Sequence, residues 1–282
     1  MIDFKDEVAV ITGAASGIGR GIAEKCAKEG MKVVLADIEN KALSECEKEL
    51  KAVGTEVIAV LTDVRKIDDL KSLANKAVDK YGSVNLLVNN AGVGFATKST
   101  TNIWDYPLSD WEWIFSVNVW GIINGIHVFV PIMLKQDIEC YIVNTASLAG
   151  LIVPILGVGI YSITKHTVIA ISESLNQELQ RYGAKIKVFP LCPGFVKTNL
   201  TESERNRPRE LKYEFNPNPE FEPIRQAYQQ SIENGITPSE VADKLFQGII
   251  EEKFYIPTDH LIFMRKNVKN RMEAILKDLQ KI

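Results

Sequence analysis

Glycines supply the first chemical signal in this chain. Gly13, Gly17 and Gly19 fall in the run Thr12-Gly13-Ala14-Ala15-Ser16-Gly17-Ile18-Gly19, directly after the apolar stretch Val8–Thr12 and before a helical one. A loop of this composition turns sharply and lets backbone approach a pyrophosphate, while the helix that follows offers unpaired N–H groups and a partial positive charge. Ser16 and Ile18 lie inside the same loop. Asp37 ends the next apolar run, 37 − 19 = 18 residues past the last glycine. An acid there can accept hydrogen bonds from both hydroxyls of an adenosine ribose, and its charge repels a 2′-phosphate. Ala14, Ala15, Ser16 and Ile38 include no Arg or Lys that such a phosphate would need. NAD is therefore expected rather than NADP. Asp63, after the third apolar run, is a candidate for the adenine edge, although an acid that merely ends a strand gives the same pattern.

Tyr161 and Lys165 stand four residues apart, so on a helix both side chains leave one face. Oxidising an alcohol requires its proton to leave as hydride does. A phenol with a pKa of about 10 is too weak a base near neutral pH. Lowering it by about 3 units takes roughly 4 kcal/mol of selective phenolate stabilisation. The expected suppliers are the Lys165 ammonium and the positive charge of an oxidised nicotinamide. Ser147, just past a fifth apolar run, can hold a substrate oxygen and steady a developing alkoxide; Ser in that place also caps turns.

Parallel β-strands are expected to position these groups. Val8–Thr12, Lys32–Ala36, Val57–Leu61, Leu86–Asn89, Tyr141–Asn144 and Lys185–Pro190 are apolar on both faces, as strands covered by helices must be, with Phe254–Pro257 as a further strand. Helical periodicity occupies Ile18–Glu29, Lys41–Val53, Asp68–Tyr81, Asp110–Lys135 and Ile160–Tyr182. Gly30 marks a helix end; Ser109 with Glu112, and Thr237-Pro238-Ser239-Glu240, mark helix starts. The alternation predicts one α/β domain over residues 1–282, a doubly wound parallel sheet (Rossmann fold) with helices on both faces. Residues 201–223 break the rhythm with dense charge and four prolines, which reads as a solvated loop or, within 196–236, as a mobile substrate lid.

Taken together and in this order, these residues resemble the short-chain dehydrogenases/reductases over about residues 5 to 257. Thr12-Gly13-(x)3-Gly17-Ile18-Gly19 is similar to that family's cofactor loop, Asn89-Asn90-Ala91-Gly92 to its fourth-strand signature, and Asn118, Ser147, Tyr161 and Lys165 to its catalytic tetrad. The resemblance implies cofactor contacts at Val64, Asn90, Ala91, Gly92, Tyr161 and Lys165. It implies further contacts along Pro193, Gly194, Val196 and Thr198, the segment that holds the carboxamide. It implies that Asn118 anchors a water linking Lys165 to solvent, and that the chain forms a tetramer or dimer through its two long helices. Ser147 and Tyr161 are one residue further apart than is usual in the family, which places the shape of the substrate loop in question.

Composition narrows the alternatives. The net charge of −3 provides no field for nucleic acid or an anionic membrane. Cys26, Cys46, Cys140 and Cys192 lack C-x-x-C spacing and read as small hydrophobes. His127, His166 and His260 have no acid or thiol at ligand spacing, so no metal is expected. The acidic N-terminus leads directly into a strand, and the apolar runs read as too short or interrupted to span a bilayer; a cytoplasmic enzyme is expected. Phe95–Tyr106, Ile152–Leu156 and Phe195 are expected to wall an apolar pocket, suiting a bulky secondary alcohol or ketone of hydroxysteroid type. The aromatic group Trp104, Tyr106, Trp111, Trp113, Phe115 and Trp120 reads as core or subunit interface. A 3-oxoacyl thioester reductase and a non-catalytic dinucleotide sensor are the rival readings.

Overall fold

A computed structural model describes residues 3–94, 101–214, 218–258 and 262–279. Seven parallel strands form one sheet in the order β3-β2-β1-β4-β5-β6-β7. They are β1 (Val8–Thr12), β2 (Lys32–Asp37), β3 (Val57–Leu61), β4 (Leu86–Asn89), β5 (Cys140–Thr145), β6 (Ile186–Cys192) and β7 (Ile256–Pro257). Helices α1 (Gly17–Lys28), α2 (Asn40–Ala52), α3 (Ile67–Tyr81), α4 (Leu108–Asn118), α5 (Trp120–Gln136), α6 (Gly159–Tyr182), α7 (Glu222–Glu233), α8 (Pro238–Ile250) and α9 (Ile262–Leu279) follow in chain order.

The two-sided apolarity of the strands has a direct structural cause. Ala9 and Ile11 of β1 point into one core with Ile22 of α1, Leu43 of α2 and Leu245 of α8. Val8 and Val10 point into the opposite core with Leu70 of α3, Phe129 of α5 and Leu175 of α6. Alternate side chains of one strand thus fill two separate cores. Cys26, Cys46, Cys140 and Cys192 are buried and unpaired, as small hydrophobes would be.

Strand order reverses direction between β1 and β4, so the connections that leave their carboxyl ends run to opposite sides of the sheet and leave a crevice there. Thr12 stitches its floor together, accepting at Oγ1 from the N–H groups of Asn90 (2.9 Å) and Ala91 (3.0 Å). Asn90 Nδ2 returns a bond to Thr12 O at 3.0 Å.

Several sequence expectations need correction. The expected helix Asp110–Lys135 is two helices separated at Val119, whose φ of −106° breaks the helical path. That break places Asn118 at a helix end rather than mid-helix. Ser109 and Glu112 form no capping box: α4 begins at Leu108 behind Pro107, and no side chain caps it. Thr237 and Glu240 do form the expected reciprocal box on α8. Apolar length was also underestimated, because counting uninterrupted runs misses a helix with isolated polar residues. Leu108–Gln136 is long and apolar enough to cross a membrane, with a mean hydropathy of 1.7 in its most apolar 18-residue window. Part of that stretch is taken up by this fold, α5 packing on α3 and β4 and α4 on α6. α7 and α9 carried no clear sequence signal; α9 is largely exposed from Arg265 onward, with no broad buried face to reveal it.

Candidate active site

The glycine loop is shaped by lack of room. Gly13 has φ +65°, and a Cβ on it would lie 2.8 Å from Ala91 Cα. A Cβ on Gly19 would lie 2.1 Å from Gly13 O. Gly17 also takes a positive φ, +53°. Gly13 and Gly19 therefore bring β1, α1 and the end of β4 closer than any side chain allows, while a Cβ on Gly17 would lie 3.1 Å from the Thr198 side chain. Ser16 is the N-cap of α1 but makes no side-chain capping bond, and the first turn of α1 holds no acid. Such an uncapped N-terminus presents its N–H groups and positive dipole end to an anion.

At the end of β2, Asp37 Oδ2 accepts from Ala15 N at 2.9 Å and Oδ1 from Glu39 N at 3.0 Å, which turns the carboxylate back against the loop. Asp63 is less available than its position implied. Arg65 chelates its carboxylate from Nε and Nη2 at 3.0 and 2.7 Å. Burial raises the Asp63 carboxyl, but the Arg65 bonds more than offset this and hold it below its ordinary range.

At the other end of the crevice α6 delivers Tyr161 and Lys165, both nearly enclosed, at 8% and 5% exposure. Lys165 Nζ donates to Thr145 O at 2.8 Å and lies 5.6 Å from the Tyr161 ring centre. A Cβ on Gly92 would lie 3.3 Å from Asn118 Oδ1 and 3.7 Å from Lys165 Nζ, so the three residues share one wall. Asn118 is fully engaged: Oδ1 accepts from Val93 N at 2.8 Å, and Nδ2 donates to Val93 O at 3.0 Å and to Thr164 Oγ1 at 3.2 Å. Ser147 caps a turn, as Ser in that place can. Its Oγ accepts from Ala149 N at 3.1 Å, capping a short helix, and it shares a hydrogen bond with the Tyr161 hydroxyl.

The expected lowering of the phenol is not met by the protein alone. Burial pushes Tyr161 up to about 12, with the Ser147 bond pulling the other way. Burial likewise brings Lys165 down to about 8. The reason is desolvation: both charged forms lose water, and the ammonium spends a bond on Thr145. Phenolate formation thus waits on a further positive charge.

One continuous cleft joins the two ends. Gly13, Ser16, Gly17, Ile18, Asp37, Asp63, Val64, Asn90, Ala91, Gly92, Ser147, Tyr161, Lys165, Pro193, Gly194, Val196 and Thr198 all line it. Gly19 and Asn118 stand behind the lining, buried, as supports. Ile155 and Phe195 face the cleft as expected, whereas Ile152 is packed into a core cluster and Leu156 is 63% exposed. Trp113 is both core and cleft wall, while Trp104 and Trp120 are exposed. Phe95 and the five residues after it, like His260, lie outside the described residues.

Segment 196–236 closes on itself: Val196 pairs with Ile236, and Lys197 N donates to Ile236 O at 2.9 Å. It is not a wholly solvated loop. Arg207, its side chain 2% exposed, donates to Asp110 Oδ1 of α4 at 2.7 Å and stacks 4.1 Å above Trp113. Tyr213 hydroxyl donates to the same carboxylate at 2.9 Å. Sequence composition missed this because each charge counted as solvated until its partner, 97 residues away, was known. The segment also brings Arg205, Asn206 and Tyr228 to the cleft. Tyr228 packs with Tyr161 and meets Phe195 edge to face, with ring centres 5.5 Å apart. Nothing in the local sequence of α7 marks it.

The residues present fit a dinucleotide: a side-chain-free loop, an uncapped helix N-terminus, an acid at the end of β2 and a Tyr–Lys–Ser group share one cleft. The comparisons agree. The model of the short chain dehydrogenase family matches residues 7–209. A dehydrogenase/reductase of CLA biosynthesis from Lactiplantibacillus plantarum is 35% identical, covering 92% of this chain and 90% of that protein. A C alpha-dehydrogenase from a Sphingobium strain is 32% identical over 91% of this chain and 81% of its own length. The crystal structure of a short-chain dehydrogenase/reductase from Burkholderia phymatum, in complex with NAD, superposes with a TM-score of 0.92 at 42% identity, covering 99% of this chain and 97% of that one. The chain belongs to the short-chain dehydrogenase/reductase family and is an oxidoreductase acting on CH–OH groups.

Proposed function

We propose that this enzyme moves hydride between NAD and a secondary alcohol or its ketone, with Tyr161 as proton donor and acceptor. The observation that carries this is the Tyr161 hydroxyl, lining the cleft and hydrogen-bonded with Ser147 above the Lys165 ammonium. A bound nicotinamide supplies or accepts the hydride. The chain's residues do the rest. Ser147 holds the substrate oxygen beside the phenol. Tyr161 gives its proton to that oxygen in reduction and takes it back in oxidation. Lys165, held by Thr145 O at 2.8 Å, supplies positive charge beneath the ring. Asn118 positions the backbone at Val93 and, with it, the wall of the proton path.

Asp37 supports NAD over NADP, since a carboxylate lining the cleft at the end of β2 repels a 2′-phosphate. Leu200, Ile155, Phe195 and Tyr228 form an apolar wall that supports a bulky substrate, hydroxysteroid-like in size. Residues 196–236 form the cover of that pocket within a single domain spanning residues 1–282. The reading extends to a cytoplasmic homo-oligomer assembled on its long helices.

Screening secondary alcohols and ketones by NADH absorbance identifies the substrate class. On any accepted ketone, Tyr161→Phe lowers kcat by at least about a thousandfold, in the range expected for loss of a positioned proton donor. Undiminished turnover by that variant refutes the role given to Tyr161.

A further inference from the structure

Two arginines reach the Asp37 end of the cleft, neither from the positions where the local sequence would place one. Arg65 is chelated by Asp63. Arg205 comes from the far segment and donates to Glu39 Oε1 from Nε at 3.0 Å and from Nη2 at 2.6 Å. Asn206 Nδ2 adds a third bond to that oxygen at 2.8 Å. Glu39 is tied in turn to the acid before it, its N–H donating to Asp37 Oδ1 at 3.0 Å. Asp37, Glu39 and Arg205 all line the one cleft.

Arg205 is also held independently of Glu39. Its Nη1 donates to Asn199 O at 3.3 Å and Glu202 O at 3.0 Å, both in its own short helical turn. Removing the Glu39 charge would therefore leave the guanidinium anchored at the cleft wall with Nε and Nη2 released. A guanidinium so presented is the preferred partner of a phosphate, which it can bind with two parallel bonds.

We infer that Glu39 is a second determinant of dinucleotide preference, acting through Arg205: it occupies the two donors that would otherwise receive a 2′-phosphate. This rests on the reading of the cleft as a dinucleotide site with Asp37 at the adenosine ribose. It adds that the cation needed for the phosphorylated dinucleotide is already in place and is neutralised by a carboxylate.

The test is equilibrium binding, by fluorescence titration with NADH and NADPH, of the full chain and three variants: Glu39→Gln, Arg205→Gln and the double variant. Glutamine keeps the size of residue 39 and removes its charge; its amide oxygen can still accept from Arg205 and Asn206, but as a neutral acceptor it is displaced from the guanidinium by a phosphate. Glu39→Gln should tighten NADPH relative to NADH by about tenfold, the scale of one charge-assisted phosphate contact. The double variant should return to within about twofold of the wild-type ratio, and Arg205→Gln alone should leave that ratio nearly unchanged. The inference is overturned if Glu39→Gln leaves the ratio unaltered. It is equally overturned if the gain survives in the double variant, since Glu39 would then act by repulsion alone. A wild type that itself prefers NADPH removes the role given to Asp37, while the difference between the single and double variants still judges Glu39 and Arg205. A wild type that binds neither dinucleotide overturns both readings.

Discussion

The two walls of the cleft are built on opposite principles. The wall made by the glycine loop and the end of β4 is defined by absent side chains: Gly13 and Gly19 let backbone come close to the end of β4, and Thr12 and Asn90 lock it with hydrogen bonds between β1 and β4. The wall made by residues 196–236 is defined by side chains, chiefly charged ones. Arg207 is fastened to Asp110, Arg205 to Glu39, and Tyr213 to Asp110. A wall of the first kind holds a constant ligand through backbone donors. One of the second kind can change its specificity by exchanging a few side chains without disturbing the sheet.

The largest expected effect tests the first wall. Gly19→Ala places a Cβ 2.1 Å from Gly13 O and 2.5 Å from Asn90 Nδ2, so loop and strand must part. We expect NADH affinity to fall by more than about a hundredfold and stability by roughly 4 kcal/mol, measured by titration and urea unfolding. Retention of wild-type affinity would show that the loop has more room than its backbone contacts indicate.

A smaller effect, of a different kind, is expected on the second wall. Burial raises the Asp110 carboxyl above its ordinary range even though Tyr213 and Arg207 draw it down. The pair thus fastens the segment at a desolvation cost rather than adding much stability. Asp110→Ala leaves the buried Arg207 paired with Glu204 but removes the acceptor of two hydrogen bonds, from Arg207 and Tyr213, and should cost about 3 kcal/mol. NADH affinity should change far less than in the glycine variant. Equal losses of dinucleotide affinity in both variants would erase the distinction between the walls.

The least effect belongs to Lys165, where the walls meet. Its pKa falls from 10.5 to about 8 on folding, burial being the main cause. The folded chain therefore releases this proton near pH 8, whereas the unfolded chain keeps it to about 10.5. The Lys165 contribution to stability rises with pH across that window and is lost as pH falls through about 8. Between pH 8 and pH 10, wild type should gain roughly 2 kcal/mol relative to Lys165→Met, read as the change in their difference in urea unfolding. A constant difference would mean that the ammonium is better solvated than its enclosure implies.

Much of this was written locally. The strands announce themselves because a strand covered on both faces is buried at every position, as Val8–Thr12 is, and so is apolar along nearly its whole length. The glycine loop and the Tyr161–Lys165 spacing are likewise short-range patterns that survive without knowledge of the fold. Boundaries were less legible where one residue decides them: Val119 divides a stretch whose periodicity is otherwise unbroken.

The sequence by itself determined the strands, the glycine loop and the pairing of phenol with amine, because each depends on neighbours within a few residues. Only the tertiary structure decided which charges cancel. Glu39 and Arg205, or Asp110 and Arg207, are anonymous surface residues until folding sets them within hydrogen-bond reach. The ionisation of Tyr161 was decided in the same way, since burial is a property of everything packed around a group and leaves no mark beside it in the chain.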